Sequence, residues 1–327
     1  MTEIINMAKV QAATSMVGAY YPFPRAAALQ QAVSDCITDH YIGQNLGKPF
    51  EASGVFVTGA SRIGKTREIE QLVRKINGSN TAMPSGLPAR FISVKLPAPM
   101  TFRELGEVVC AELDYPTNGN RTAKHLWDRI RQQAQIRGVI GIHVDEAQHM
   151  FTDTGKAANR ATLDSFKGLL KDTKWPFILI LSGVPVLQAH LEIDVAAEER
   201  KQLRFLLSHV HFDMINPRNN EHVQELGMLT QTFAAKAGVN LKAVFDVDFL
   251  HRLAHAGLYR WGYVIQLMIE AFTNCKLADR LAVELADFSR AFSKKFSQPA
   301  GFTPFDVDDY LETFDPDRLF KLSDDLG

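Results

Sequence analysis

The 327 residues, 46% hydrophobic and 22% charged, are enough for one large domain or two modest ones, with the make-up of a soluble globular protein. A formal net charge of −1 excludes a surface that is basic all over, so any nucleic-acid binding must use a local patch. Cys36, Cys110 and Cys275 stand far apart without zinc-ligand spacing, which favours buried reduced thiols, and no leader pattern or membrane-length apolar run occurs, so the expectation is a cytoplasmic protein with no membrane partner.

Residues 1–22 read as loosely structured and lead into Tyr20-Tyr21-Pro22-Phe23-Pro24, a segment that either lies near an adenine or straps a domain. Arg25 to about Tyr41 is predicted as a helix with Ala28, Leu29, Val33, Cys36 and Ile37 as its apolar stripe. Residues 55–58 form a short apolar, β-branched strand, followed by Gly59-Ala60-Ser61-Arg62-Ile63-Gly64-Lys65-Thr66, which fits G-x-x-x-x-G-K-[ST]. Ile69, Leu72, Val73 and Ile76 then share a helix face, so the motif has the strand before it and the helix after it that its chemistry needs. Gly59 and Gly64 let the backbone N–H groups converge on phosphate oxygens, the helix N-terminus adds its positive dipole end, Lys65 supplies an ammonium and the Thr66 hydroxyl a Mg²⁺ ligand.

Residues 77–89, rich in Gly, Ser, Asn and Pro, form a loop, and Arg90–Leu96 is the second strand. Thr101 with Glu104 makes a capping box for a helix to about Leu113, and Thr122 caps another to about Ile136. Val139-Ile-Gly-Ile-His-Val-Asp145-Glu146 is an apolar strand ending in two acids, the Walker B pattern. Asp145 is the metal-side carboxylate, and Glu146 orients and polarises the attacking water. Gln148 and His149 either report the nucleotide state or cap the next turn. After a helix to about Asp172, Phe177–Leu181 is the fourth strand, ending in Ser182, which either contacts the γ-phosphate or its water or closes a plain turn. Arg200 and Arg204 precede the fifth strand, His209–Ile215. They are arginine-finger candidates for a neighbouring subunit's nucleotide, or else part of a solvated charged helix.

From Asn216 the chain is helical, over about 219–237, 246–256, 260–275 and 281–296. Arg260 opens the third of these, where a second sensor arginine reaches back to phosphate. The acidic, aromatic tail 298–327 docks either on this subunit or on a partner. The predicted organisation is a segment and helix over 1–50, an α/β nucleotide-binding core over 51–216, a helical lid over 217–297, and the tail.

Gly59–Thr66, Val144-Asp-Glu-Ala-Gln-His149, Ser182-Gly-Val-Pro and Gln202-Leu-Arg204-Phe205, in this order and before a helical lid, resemble the AAA+ ATPases of the TniB/TnsC family, relatives of MuB and more distantly of origin-recognition initiators, over roughly residues 20–285. The resemblance implies an α/β AAA+ P-loop NTPase with a five-stranded parallel sheet in order 5-1-4-3-2. It implies slow, switch-like hydrolysis of ATP with Mg²⁺, held through Thr66 and Asp145, with catalysis by Glu146 and Lys65 and an interface arginine at Arg204. It also implies an ATP-dependent homo-oligomer, a helical filament or ring, on double-stranded DNA without sequence preference, which marks target DNA in transposition and engages transposase subunits through a TniQ-type adaptor. In the region with which that family follows the duplex backbone, between the second and third strands, this chain supplies Arg103, Arg121, Thr122 and Lys124. The alternatives from other classes are an AAA+ remodelling motor or loader, helicase-loader or initiator-like, and a STAND-type signalling ATPase.

Overall fold

The computed structural model describes residues 4–115, 121–151, 155–192, 202–299 and 301–324. Its elements in chain order are α1 Met7–Val17, α2 Pro24–Asn45, β1 Gly54–Gly59, α3 Lys65–Ser79, β2 Arg90–Lys95, α4 Phe102–Glu112, α5 Ala123–Arg137, β3 Val139–Asp145, α6 Lys156–Leu170, β4 Ile178–Gly183, α7 Val186–Glu192, α8 Gln202–Leu206, β5 Leu207–Phe212, α9 Asn220–Ala237, α10 Val247–Ala256, α11 Trp261–Leu277, α12 Leu285–Phe296, α13 Tyr310–Thr313 and α14 Pro316–Asp324. They fall into two compact units. One spans Pro24–Ala60 and Gly64–Phe212; the other holds the segment up to Phe23, the three residues Ser61–Ile63, and the chain from Asp213 onward.

The first unit is built on an all-parallel sheet in the order β2-β3-β4-β1-β5. This is the predicted 5-1-4-3-2 arrangement read from the other edge. Strands β1, β3 and β4 are buried along their whole length, as their mainly apolar sequences require when helices cover both faces, while β2 and β5 at the edges are only partly covered. Residues Thr101 and Glu104 form the predicted capping box at the start of α4. The fifth strand is shifted from its predicted range, His209–Ile215. Its ladder runs from Leu207 opposite Gly54 to Phe212 opposite Gly59, and β1 offers no partner beyond that. Ile215 instead donates its N–H to the Tyr259 carbonyl at 2.8 Å.

The second unit packs α9–α12 around Phe233, Phe249, Trp261, Phe272, Phe288 and Phe292, all fully buried. Residues 7–17, expected to be loose, are a helix capped by the Asn6 side chain. Its weak apolar pattern hides the reason, which is tertiary: Ala12 and Met16 are buried, α1 lies against α9 and α11, and Lys9 pairs with Glu270 at 3.1 Å. Phe23 sets its ring edge-on to Trp261 at 5.1 Å, a contact within this unit. The tail docks on its own chain. Phe305, Tyr310, Phe314 and Leu319 are buried, Arg252 donates to the carbonyls of Pro304 and Val307 at 2.8 and 2.6 Å, and its guanidinium covers the Tyr310 ring at 4.6 Å.

Each unit holds a buried neutral histidine. His40 bonds through Nε2 to the Pro176 carbonyl at 3.0 Å, and His255 through Nε2 to the Phe314 carbonyl at 2.7 Å. Burial lowers both below the ordinary 6.5; the Pro176 carbonyl opposes this at His40, and the Phe314 carbonyl and Asp315 oppose it at His255. Below pH 6.5 the unfolded chain takes up protons that these folded rings refuse. The stability they contribute is therefore complete above that pH and lost as pH falls. The melting temperature is expected to drop between pH 7 and pH 5, and His40→Asn to flatten part of that slope; an unchanged slope in the variant would exclude His40 as a contributor.

Candidate nucleotide-binding site

Gly59 ends β1, and the chain turns through a loop to α3, whose first residue is Lys65. The turn requires left-handed backbone at Arg62 (φ 61°) and Gly64 (φ 106°). Lys65 is 5% exposed and donates Nζ to the Gly59 and Ala60 carbonyls at 2.8 and 3.0 Å. Burial pulls its pKa down, and the nearby Glu146 and Asp145 carboxylates work in the opposite direction.

The two Walker acids stand where the sequence puts them, at the C-terminal end of β3. Thr66 Oγ1 donates to Asp145 Oδ2 at 2.8 Å, and Ser182 Oγ donates to Asp145 Oδ1 at 2.6 Å. Thus Thr66, Asp145 and Ser182, from α3, β3 and β4, meet at one carboxylate. A hydroxyl and a carboxylate 2.8 Å apart suit a hard cation such as Mg²⁺, whose other ligands would be water and phosphate oxygens. Among the described residues there is no cluster of three His, Cys, Asp or Glu that could hold a metal by itself.

Behind this site lies a residue to which the sequence analysis gives no role. His143 is fully buried, with Nε2 2.9 Å from Ser182 Oγ and Nδ1 2.6 Å from Ser93 Oγ. A serine has one hydroxyl proton, and that of Ser182 goes to Asp145. Ser182 therefore accepts from His143 Nε2–H, and Ser93 donates to Nδ1. Burial holds the ring neutral, its pKa lowered to about 4 against the pull of Asp145. A histidine in the middle of a buried apolar strand is itself the signal for such a network, because it must find partners on both ring nitrogens. In this arrangement the Ser182 proton is given to Asp145.

Glu146 follows in a left-handed conformation (φ 56°), a strained backbone typical of functional positions. Gln148 Nε2 donates to its Oε2 at 2.5 Å, and the Gln148 Oε1 accepts from the Val184 N–H at 3.3 Å. Gln148 thereby links the general-base candidate to the end of β4. A side chain at Gly183 would place its Cβ 2.3 Å from that Oε1, so the glycine makes room for the link.

Thr58, one residue before the loop, carries a second polar cluster that the sequence analysis does not single out. Its Oγ1 lies 2.7 Å from His209 Nε2 and 2.8 Å from His211 Nδ1 on β5. The alternation His209-Val-His211 was the available signal, since it puts both rings on one face. Arg204 bonds through Nη1 to the Leu207 carbonyl at 3.2 Å and lies over the Phe56 ring at 5.1 Å, on its own sheet. Arg200 lies outside the described residues. In the helical unit, Arg260 is buried. Its Nε donates to the Ser61 carbonyl at 3.2 Å and its Nη1 to that of Leu258 at 3.3 Å.

The four DNA-contact candidates come together at the N-termini of α4 and α5. Arg103 donates Nε to the Arg121 carbonyl at 2.7 Å and Nη2 to Glu107 at 2.7 Å; Thr122 accepts from the His125 N–H as the α5 N-cap; Arg121 and Lys124 are exposed. Further along α5, Arg131 pairs with Asp128 and Asp172, and Arg137 with Asp114. Those two charges belong to internal ion pairs. No helix among the described residues is long and apolar enough to cross a membrane.

Residues 48–191 match the family described as AAA domain. No curated protein matches the chain. Solved structures do. Cdc6p from Pyrobaculum aerophilum aligns with 13% identity and a TM-score of 0.55 over 85% of this chain and 69% of that one. The Aeropyrum pernix ORC1 protein in complex with DNA aligns with 12% identity and a TM-score of 0.58 over 86% and 68%. Drosophila ORC bound to DNA aligns with 12% identity and a TM-score of 0.53 over 90% and 67%. The sheet order agrees with these comparisons: the fold is that of the AAA+ P-loop ATPases, followed by a helical C-terminal region.

Proposed function

We propose that this protein is an ATP-dependent, double-stranded-DNA-binding AAA+ switch of the loader or initiator kind. The observation that carries the nucleotide part is the convergence of Thr66 and Ser182 on Asp145 beside the buried Lys65. Lys65 neutralises the terminal phosphates, and the loop N–H groups bind their oxygens. Thr66 and Asp145 would hold Mg²⁺, which would supply positive charge against the charge that develops on the phosphates. Glu146 accepts the proton of the attacking water, and Gln148 holds the carboxylate in place until nucleotide arrives. Arg204 or Arg200 completes the site of a neighbouring copy, so ATP favours assembly and hydrolysis releases it.

The DNA part rests on the exposed Arg121 and Lys124 at paired helix N-termini, where phosphates are favoured, and on the likeness to structures solved with DNA. The same likeness favours the loader or initiator-like reading over transposition control. The Asp145-Glu-Ala-Gln-His149 run favours a second reading, a TniB/TnsC-type regulator that engages a transposase through an adaptor. Electron microscopy with 60-base-pair DNA, with and without a slowly hydrolysed ATP analogue, tests the switch. Ordered assemblies only with both ligands support it, and particles indifferent to DNA overturn it. Arg121→Ala and Lys124→Ala are each expected to weaken binding equally on unrelated duplexes and to lower the slope of log affinity against log salt by about 0.9. Sequence-selective loss, or an unchanged slope, would remove that residue from the phosphate contacts.

A further inference from the structure

We propose that Phe320, in the C-terminal tail, is a positioning residue for the phosphate-binding loop and acts through Arg260. The loop apex, Ser61–Ile63, groups with the helical unit. Two consecutive apex carbonyls are taken by the start of α11: Arg260 Nε donates to Ser61 O at 3.2 Å and the Gly262 N–H to Arg62 O at 2.9 Å. In a trans peptide the carbonyl and the following N–H point in opposite directions. Holding the carbonyls of Ser61 and Arg62 therefore fixes the directions of the Arg62 and Ile63 N–H groups, which a phosphate loop must aim at its ligand. Gly262 permits the approach, since a Cβ there would lie 2.5 Å from Arg62 O.

Arg260 is itself held on both sides. It follows two residues in left-handed backbone, Leu258 (φ 53°) and Tyr259 (φ 56°), a pair that persists only where its surroundings over-determine it. Leu258 is fully buried, the Tyr259 carbonyl accepts from Ile215 N–H, and the Tyr259 hydroxyl lies 2.9 Å from His255 Nδ1, whose other nitrogen bonds the Phe314 carbonyl of the tail. On the far side, the Arg260 guanidinium carbon stands 3.8 Å from the centre of the Phe320 ring. The ring face attracts the cation and blocks its rotation away from Ser61. The tail is thereby part of the loop's support.

This inference rests on the reading of residues 59–66 as a nucleotide site, and its test separates the two. In the full chain, Phe320→Ala is expected to weaken binding of a fluorescent ATP analogue about fivefold, Phe320→Leu to do the same because it fills space without a ring face, and Phe320→Tyr to retain parent affinity. Phe320→Ala combined with Arg260→Ala should be no weaker than Arg260→Ala alone. Without nucleotide, hydrogen exchange at the Gly262 amide should accelerate in Phe320→Ala. Parent-like binding by Phe320→Leu, multiplying effects in the double variant, or unchanged Gly262 exchange would each overturn the proposal. Undiminished binding by Lys65→Ala would instead sink the nucleotide reading, while the exchange measurement still decides the role of Phe320.

Discussion

Glu146→Gln is expected to bind Mg·ATP as the parent does and to hydrolyse it about a hundredfold more slowly, the contribution expected of a positioned general base. The exchange keeps the size and shape of the side chain. Its carbonyl oxygen can still accept from Gln148 Nε2, and the left-handed backbone is left as it is. Lys65, Thr66 and Asp145, which meet the phosphates and the cation, are untouched. What disappears is a group able to take the proton of water. Because binding survives and hydrolysis does not, the variant should remain assembled on DNA long after the parent has dissociated. Phosphate release and DNA dissociation, measured side by side, check this. Hydrolysis at the parental rate would take the base role away from Glu146, and rapid disassembly without hydrolysis would break the link between turnover and release.

Lys65→Ala is expected to reduce ATP affinity at least a hundredfold and to abolish assembly. Charge-assisted contacts to phosphate vanish, each worth about 1.5–3 kcal/mol. At about 1.4 kcal/mol per factor of ten, two such contacts reach the hundredfold threshold. The Gly59 and Ala60 carbonyls, now served at 2.8 and 3.0 Å, also lose their donor, which lowers the stability of the nucleotide-free loop. Lys65→Arg should not restore binding, because a planar fork cannot replace a compact ammonium between two carbonyls. Titration calorimetry gives the affinity, and ATP-dependent assemblies formed by Lys65→Ala would refute the role.

The parts of the site that could be read from the sequence are those held together locally. Gly59–Thr66 is one turn between a strand and a helix, and Asp145-Glu146 is the end of a strand, so pattern and chemistry coincide within a few residues. The strand order came from the resemblance to AAA+ ATPases and not from the strands themselves, and the sheet agrees with it. The supports of the site were not legible. His143 takes its partners from strands 39 and 50 residues away, and Arg260, read as an arginine reaching back to phosphate, bonds instead to the Ser61 carbonyl across 199. No periodicity carries that information, only tertiary packing. Helix α1 escaped for the same reason, since its order comes from α9 and α11. The end of β5 was misplaced because apolar Met214 and Ile215 continue the strand pattern past the point where β1 stops offering a ladder.

The cluster around Thr58 carries one more implication. A hydroxyl that gives its proton to one imidazole and receives one from the other ties the two rings to a common tautomer. If Thr58 donates to His211 Nδ1, then His209 presents Nε2–H, and both rings are protonated at Nε2; if it donates to His209 Nε2, both are protonated at Nδ1. The strand that feeds the phosphate-binding loop and the strand beside it are thus joined by a side-chain hydrogen-bond bridge through Thr58, in addition to their ladder of peptide bonds.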